Sequence, residues 1–198
     1  VAPHDALDLG ECCGVEIEVA ALGRAEGTVV GERGAPPGPV QSNAPLRVAL
    51  AGCGVVGGGL LNRLLPDKRY EVVGVLVRNP GKARDVSAPA ELFTNDVEAL
   101  LAKKPDLLLE ALSEGEAGHA LIRRALEAGC DVVSANKQAV ARDPAGLQAL
   151  AAANGCRVAW SASVGGGAPM IETLRAARAA GPVAGFEAVL NGTVNFML

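Results

Sequence analysis

A glycine triplet and a lysine supply the residue types in this chain that could do chemistry. Gly52, Gly54 and Gly57 form a G-x-G-x-x-G pattern within ALAGCGVVGGGLL, with Val55 and Val56 at the variable positions. A first glycine permits a tight turn, a second lets a pyrophosphate approach the backbone, and a third lets a helix lie close to a sheet. The helix N-terminus then offers amide donors and the positive end of its dipole to phosphate oxygens. The competing reading is a glycine-rich turn that binds nothing. The second feature is DVVSANKQAV, residues 131–140, where an apolar run stops abruptly at Ser134, Ala135, Asn136 and Lys137. Buried strands seldom finish on a lysine. Lys137 is either the solvated start of a loop or an amine placed to touch a ligand, and the pattern alone leaves both open.

Both features need a scaffold, and the flanking sequence supplies one. LRVALA reads as a short buried strand before the glycines, and VVGGGLLNRLL opens a helix that Pro66 stops. YEVVGVLVRN is a second strand, DVEALLAKK a helix with Asp96 near its start, and DLLLEAL a third strand. GEAGHALIRRALEAGC has apolar positions at helical spacing with Gly129 as its stop. DVVSA, a helix from Asp143-Pro144 to Asn154-Gly155, the strand RVAWSASV, the helix APMIETLRAARAAG and a last strand VAGFEAVL complete the series. Strands apolar on both faces and alternating with helices imply a parallel sheet covered on both sides. A G-x-G-x-x-G that follows a strand and opens a helix is a far stronger signal for a dinucleotide than the motif alone.

Folds that prefer NAD place an acid about 20 residues on, at the end of the second strand, to hold the ribose hydroxyls. Here that strand ends in Arg78 and Asn79, with Lys82 and Arg84 nearby. A guanidinium suits a 2′-phosphate, so the expected cofactor is NADP, with NAD tolerated. Ser113 and the Ser134–Lys137 turn follow the carboxyl ends of strands, which line the ligand crevice of an open parallel sheet. Glu110 reads as a paired structural carboxylate, His119 as a surface or satisfied core residue, and Cys53 as packing. Glu114 and Glu116 are expected to cap the helix that follows them.

Composition narrows the function classes. Hydrophobic residues make up 49%, charged residues 20% and aromatics 3% of the 198 residues, with a net charge of −4. That balance argues against nucleic-acid and anionic-membrane partners. Cys12, Cys13, Cys53, Cys130 and Cys156 are odd in number and lie in no metal-ligand spacing, as expected of free thiols in a reducing cytoplasm. No run approaches the roughly 18 apolar residues of a membrane span, and the first residues lack a basic signal region. Residues 1–45 stand apart: GVEIEVAAL and GTVVGE could form a hairpin, followed by the Pro/Gly-rich GERGAPPGPVQSNAP. The chain opens on Val1 and closes on Leu198 within an apolar run, so it is expected to be part of a longer protein.

Four segments together resemble homoserine dehydrogenase. GCGVVGGG resembles its nucleotide loop, LEAGCDVVSANK its A-L-x-x-G-x-x-V-V-T-A-N-K block, SASVGGGAP its E-A-S-V-x-G-G-x-P block and VLNGTVNFML its I-L-N-G-T-x-N-Y-I-L block. Their order and spacing agree across residues 46–198, and residues 1–45 lie outside the likeness. The resemblance implies a Rossmann-type doubly wound α/β sheet, and the composition of residues 1–45 marks them as a loosely attached N-terminal extension. It implies an NAD(P)-binding domain over 46–190, and the start of a catalytic and dimerisation region at 191–198. It implies NADP- or NAD-dependent interconversion of aspartate semialdehyde and homoserine in a cytoplasmic homodimer.

The same resemblance places Lys137 near nicotinamide and substrate, where it assists proton transfer, with Ser113, Ser134, Ala135 and Asn136 edging the cofactor. It also implies a monovalent cation, usually sodium, held largely through backbone carbonyls at positions matching Ser161, Val164, Gly166 and Ala168. Two departures stand out: Ser161 replaces the family's glutamate, and the acids and second lysine that hold homoserine lie beyond the N-G-T block, where this chain ends. The chain by itself is therefore expected not to catalyse the reaction. The alternatives are another reductase on the same chassis, such as an aspartate dehydrogenase or dihydrodipicolinate reductase, and a catalytically silent cofactor-binding module.

Overall fold

The structure is a computed structural model that describes residues 44–166 and 168–185. Strands β1 (Leu46–Ala51), β2 (Tyr70–Leu76), β3 (Phe93–Thr94), β4 (Leu107–Glu110), β5 (Asp131–Ser134) and β6 (Val158–Ala159) form one sheet. Their order is β3-β2-β1-β4-β5-β6, and every pairing is parallel. The chain thus starts in the middle of the sheet, winds outward one way, returns beside β1 and winds outward the other way. This is the doubly wound Rossmann order, with its switch point between β1 and β4.

Alternation along the strands explains why both faces are covered. Val48 and Leu50 of β1, Leu107 and Leu109 of β4 and Val133 of β5 pack with Leu60, Leu61 and Leu64 of helix α1 (Val55–Leu64). The intervening residues, Ala49, Ala51, Leu108 and Val132, face the other way. There they meet Leu121, Ile122, Ala125 and Leu126 of α3 (Gly115–Glu127), with Leu100 of α2 (Val97–Leu101). Ala139 of α4 (Lys137–Ala141) and Leu147 and Ala151 of α5 (Pro144–Ala153) join the same layer. Side chains at successive strand positions point to opposite faces, so two apolar layers arise from one run. Helix α6 (Met170–Ala180) follows β6 and has no fully buried residue.

The helix starts follow from side-chain chemistry. Asp96 accepts from the amides of Glu98 and Ala99, and Asp143 accepts from Gly146 with Pro144 in the first turn. Two expectations need correction. RVAWSASV is not one strand: β6 covers only Val158–Ala159, and a 3-10 turn spans Ser161–Ser163. There both the amide and the hydroxyl of Ser163 bond to Trp160 O, at 2.9 and 2.7 Å, and this local pairing competes with ladder formation. The edge strand β3, only two residues long, was not anticipated. The proposed N-terminal hairpin, the segment 191–198 and residues 186–190 of the expected strand VAGFEAVL lie outside the described residues, and its first three residues, 183–185, are not in a strand.

Ile122 is fully buried between α3 and the sheet, so Ile122→Ala should cost about 2–5 kcal/mol in chemical denaturation. Burial, helped by the adjacent Asp131 carboxylate, pushes the Cys130 thiol from 9.0 up to about 12. Between those values the folded chain keeps a proton that the unfolded chain has lost, so stability should fall as pH rises from 9.0 towards about 12. Urea midpoints measured across that window should decline less steeply in Cys130→Ala.

Candidate functional site

The residues with chemical potential gather at the carboxyl edge of the three central strands. Ala51 is the register partner of Glu110, and Glu110 is the partner of Ser134. The ladder continues one step further, with Ala111 N donating to Ala51 O at 2.8 Å and Ala135 N to Glu110 O at 2.9 Å. Gly52, Ala111 and Ala135 therefore leave the sheet at one level.

Gly52 turns the chain at φ +94°, and a Cβ there would lie 2.5 Å from Ala111 O. A Cβ on Gly57 would lie 2.1 Å from Gly52 O, so the first turn of α1 sits directly on the bend. Gly54 is different: an added Cβ meets nothing within 4 Å. The protein's own packing does not require its lack of a side chain. Gly54 is the N-cap of α1, no side chain caps the helix, and its first turn carries no acid. The amide donors and positive dipole end are thus offered outward, as a dinucleotide's diphosphate requires. Val55 beside them is 73% exposed, while Val56 packs against the α1-side core.

A buried polar network organises the neighbouring tips. Glu110 is 1% exposed. Its carboxylate receives Ser134 Oγ at 2.5 Å, Asn136 Nδ2 at 3.2 Å and the amide of Leu112 at 2.9 Å. Asn136 also donates through Nδ2 to Glu114 O at 3.1 Å, and its amide donates to Ser134 Oγ at 3.0 Å. Asn136 Oδ1 accepts the amide of Ala139 at 3.1 Å, which caps α4. The Ser-Ala-Asn-Lys segment is therefore no loose loop but the start of a short helix, with Lys137 as its first residue. The side chains of Ser134 and Asn136 point into the fold and are fully engaged there, Ala135 is half-buried, and Lys137 is exposed. His119 Nδ1 lies 3.0 Å from Ala139 O and ties α3 to α4. Among the described residues, Lys137 has no hydrogen-bond or ion-pair partner.

The loop after β2 shows where sequence reasoning fell short. Arg84 was grouped with Arg78 and Lys82 as a cation for a phosphate, but its guanidinium is committed elsewhere. It donates to Asn79 O and Lys82 O at 2.6 Å and to Pro80 O at 3.3 Å, and it stacks 4.9 Å from the Phe93 ring. Arg84 fastens the loop and leaves Lys82 exposed. Glu114 stands at the N-cap of α3 without capping it. Its carboxylate pairs with Arg78, a contact between distant residues that no periodicity signals. Ser113, next to Glu114, is exposed.

Residues 161–166 form a separate turn beside β5, with Gly165 and Gly166 at φ +85° and +63°. Ser161 O accepts Val164 N at 2.9 Å, and Ala168 O accepts Met170 N at 2.8 Å. Ser161 Oγ donates to Glu172 Oε2 at 2.8 Å, so a carboxylate reaches this turn from α6. Among the described residues, no group of three or more His, Cys, Asp or Glu side chains could hold a metal, and no helix is long and apolar enough to cross a membrane.

Comparison with known proteins agrees with this geometry. The family model "Homoserine dehydrogenase, NAD binding domain" matches residues 52–161, from the glycine bend to the turn that starts at Ser161. Homoserine dehydrogenase of Synechocystis is 32% identical over 163 residues, covering 77% of this chain and 37% of that protein. L-aspartate dehydrogenase 1 of Bordetella pertussis is 39% identical over 158 residues, covering 77% of this chain and 56% of that protein. The crystal structure of a homoserine dehydrogenase from Thiobacillus denitrificans superposes with a TM-score of 0.61 at 32% identity, covering 69% of this chain and 34% of that one. The chain thus spans between about a third and a little over half of the relatives it matches. With its strand order, glycine bend and aligned strand tips, the chain belongs to the homoserine dehydrogenase NAD-binding domain family of oxidoreductases.

Proposed function

We propose that this chain is the nucleotide-binding part of an NAD(P)-dependent homoserine dehydrogenase that interconverts aspartate semialdehyde and homoserine. The observation that carries the reading is Lys137: exposed at the head of α4, unpartnered among the described residues, and on the same sheet edge as the outward-facing bend at Gly54. When bound, the nicotinamide cofactor supplies the hydride. The chain's own residues do the rest. Gly52, Gly54, Val55, Val56 and Gly57 shape the diphosphate cradle, and Arg78 and Ser113 border the remainder of the dinucleotide. Ser134, Ala135 and Asn136 act mainly by fixing the backbone around Lys137. The Lys137 ammonium gives a proton to the aldehyde oxygen as the carbon is reduced, and takes it back in the reverse direction.

In this reading residues 46–190 form the nucleotide-binding domain, and 191–198 begin a crossing into a catalytic, dimer-forming region. A sodium ion at the carbonyls of Ser161, Val164, Gly166 and Ala168 belongs to the same reading, with the Glu172 carboxylate beside Ser161. A second reading has a specific observation behind it: the 39% identity to an L-aspartate dehydrogenase. Assay of the full-length protein separates the two. Turnover of homoserine with either coenzyme supports the first; turnover of aspartate, with none of homoserine, replaces it with the second.

In the full-length protein Lys137→Ala should lower kcat by roughly 100-fold or more while the coenzyme Kd stays within about threefold. Unchanged turnover would remove Lys137 from the mechanism. Gly54→Ala should weaken dinucleotide binding at least about tenfold while lowering the thermal midpoint only slightly, because the added Cβ has nothing within 4 Å. Equal loss of both would make Gly54 a packing residue.

A further inference from the structure

We infer that Glu114, through its ion pair with Arg78, sets how this site divides between NAD and NADP. The inference rests on the nucleotide-binding reading above and assigns its coenzyme selectivity to a residue outside the second strand. The sequence offers no acid where NAD-preferring folds carry one, at the end of β2. The structure delivers one from another strand. Arg78 lies two residues past Leu76, the last residue of β2, and Glu114 lies in the turn between β4 and α3. β2 and β4 flank β1 in the sheet, so the pair joins the two loops on either side of the strand that carries the glycine bend.

Both side chains are open to solvent, 84% exposed for Arg78 and 61% for Glu114. An ion pair so exposed is held weakly, and a ligand can replace one partner with another. The two coenzymes differ at the group that would meet this pair. A 2′-phosphate takes the guanidinium for itself and is repelled by the adjacent carboxylate. A free 2′-hydroxyl instead donates to the carboxylate, which Arg78 keeps in place. Arg84 cannot substitute for Arg78, because its guanidinium is bonded to three carbonyls of its own loop. Lys82 is the remaining exposed cation of that loop, and Asp85 of the same loop and Glu116 in the first turn of α3 are further exposed acids of the two segments. Within the pair, Arg78 draws the site towards NADP and Glu114 draws it towards NAD.

Calorimetric titration of the full-length protein with NAD and with NADP tests this, using wild type, Glu114→Gln, Arg78→Gln and the double variant. Glu114→Gln should shift the ratio of the two dissociation constants about tenfold towards NADP, and Arg78→Gln about tenfold towards NAD. The double variant should differ from the product of the single effects, since the two side chains act on each other. The gain in NADP affinity in Glu114→Gln should shrink as salt rises. Thermal midpoints should barely move, because both residues lie at the surface. A ratio unchanged within about twofold in Glu114→Gln, or an equal change for both coenzymes, overturns the inference and leaves the proposed function standing. Failure of wild type to bind either dinucleotide overturns both.

Discussion

A carboxylate cannot be buried at the end of a strand without a hydrogen bond for each oxygen, and Glu110 meets that demand with three donors drawn from two strand tips. Everything else at this edge is organised around that requirement. Ser134 must lie opposite Glu110 in register, Asn136 must turn inward two residues later, and the chain must then leave the sheet where Asn136 can cap α4. Lys137 emerges at the surface because its neighbours are held inside. A side chain without a hydrogen-bond or ion-pair partner among the described residues is thereby mounted on a firmly held base.

The glycine bend obeys a complementary constraint. Glu110 fills its surroundings with contacts, whereas Gly54 keeps its own empty. Gly52 and Gly57 are forced by the protein's backbone, which passes within 2.5 Å or less of where their side chains would begin. Gly54 is forced by nothing inside the chain. Two of the three glycines therefore answer to the fold and the third does not, a division that the spacing alone does not reveal.

The sheet and its order were legible because short apolar runs alternating with amphipathic segments admit few other arrangements. Asp96 and Asp143 announced their helices, and the network around Glu110 was foreshadowed by an acid inside LLLEAL. The failures share a cause: each depended on contacts between residues remote in the chain or on a choice made by local hydrogen bonds. Ser163 diverted an apolar, β-branched stretch into a turn by bonding to Trp160 O. Arg84 resembled a ligand-binding cation until its loop folded back upon it. Glu114 sat where an acid usually caps a helix and turned instead to a partner 36 residues earlier.

Both rims of the described sheet, β3 and β6, are only two residues long. Edge strands expose unpaired amides and carbonyls that can recruit a strand from another molecule. Rims this short offer a passing peptide little ladder to extend, and beside Tyr70–Gly74, where β3 does not reach, Lys103 Nζ already donates to Val73 O at 2.8 Å.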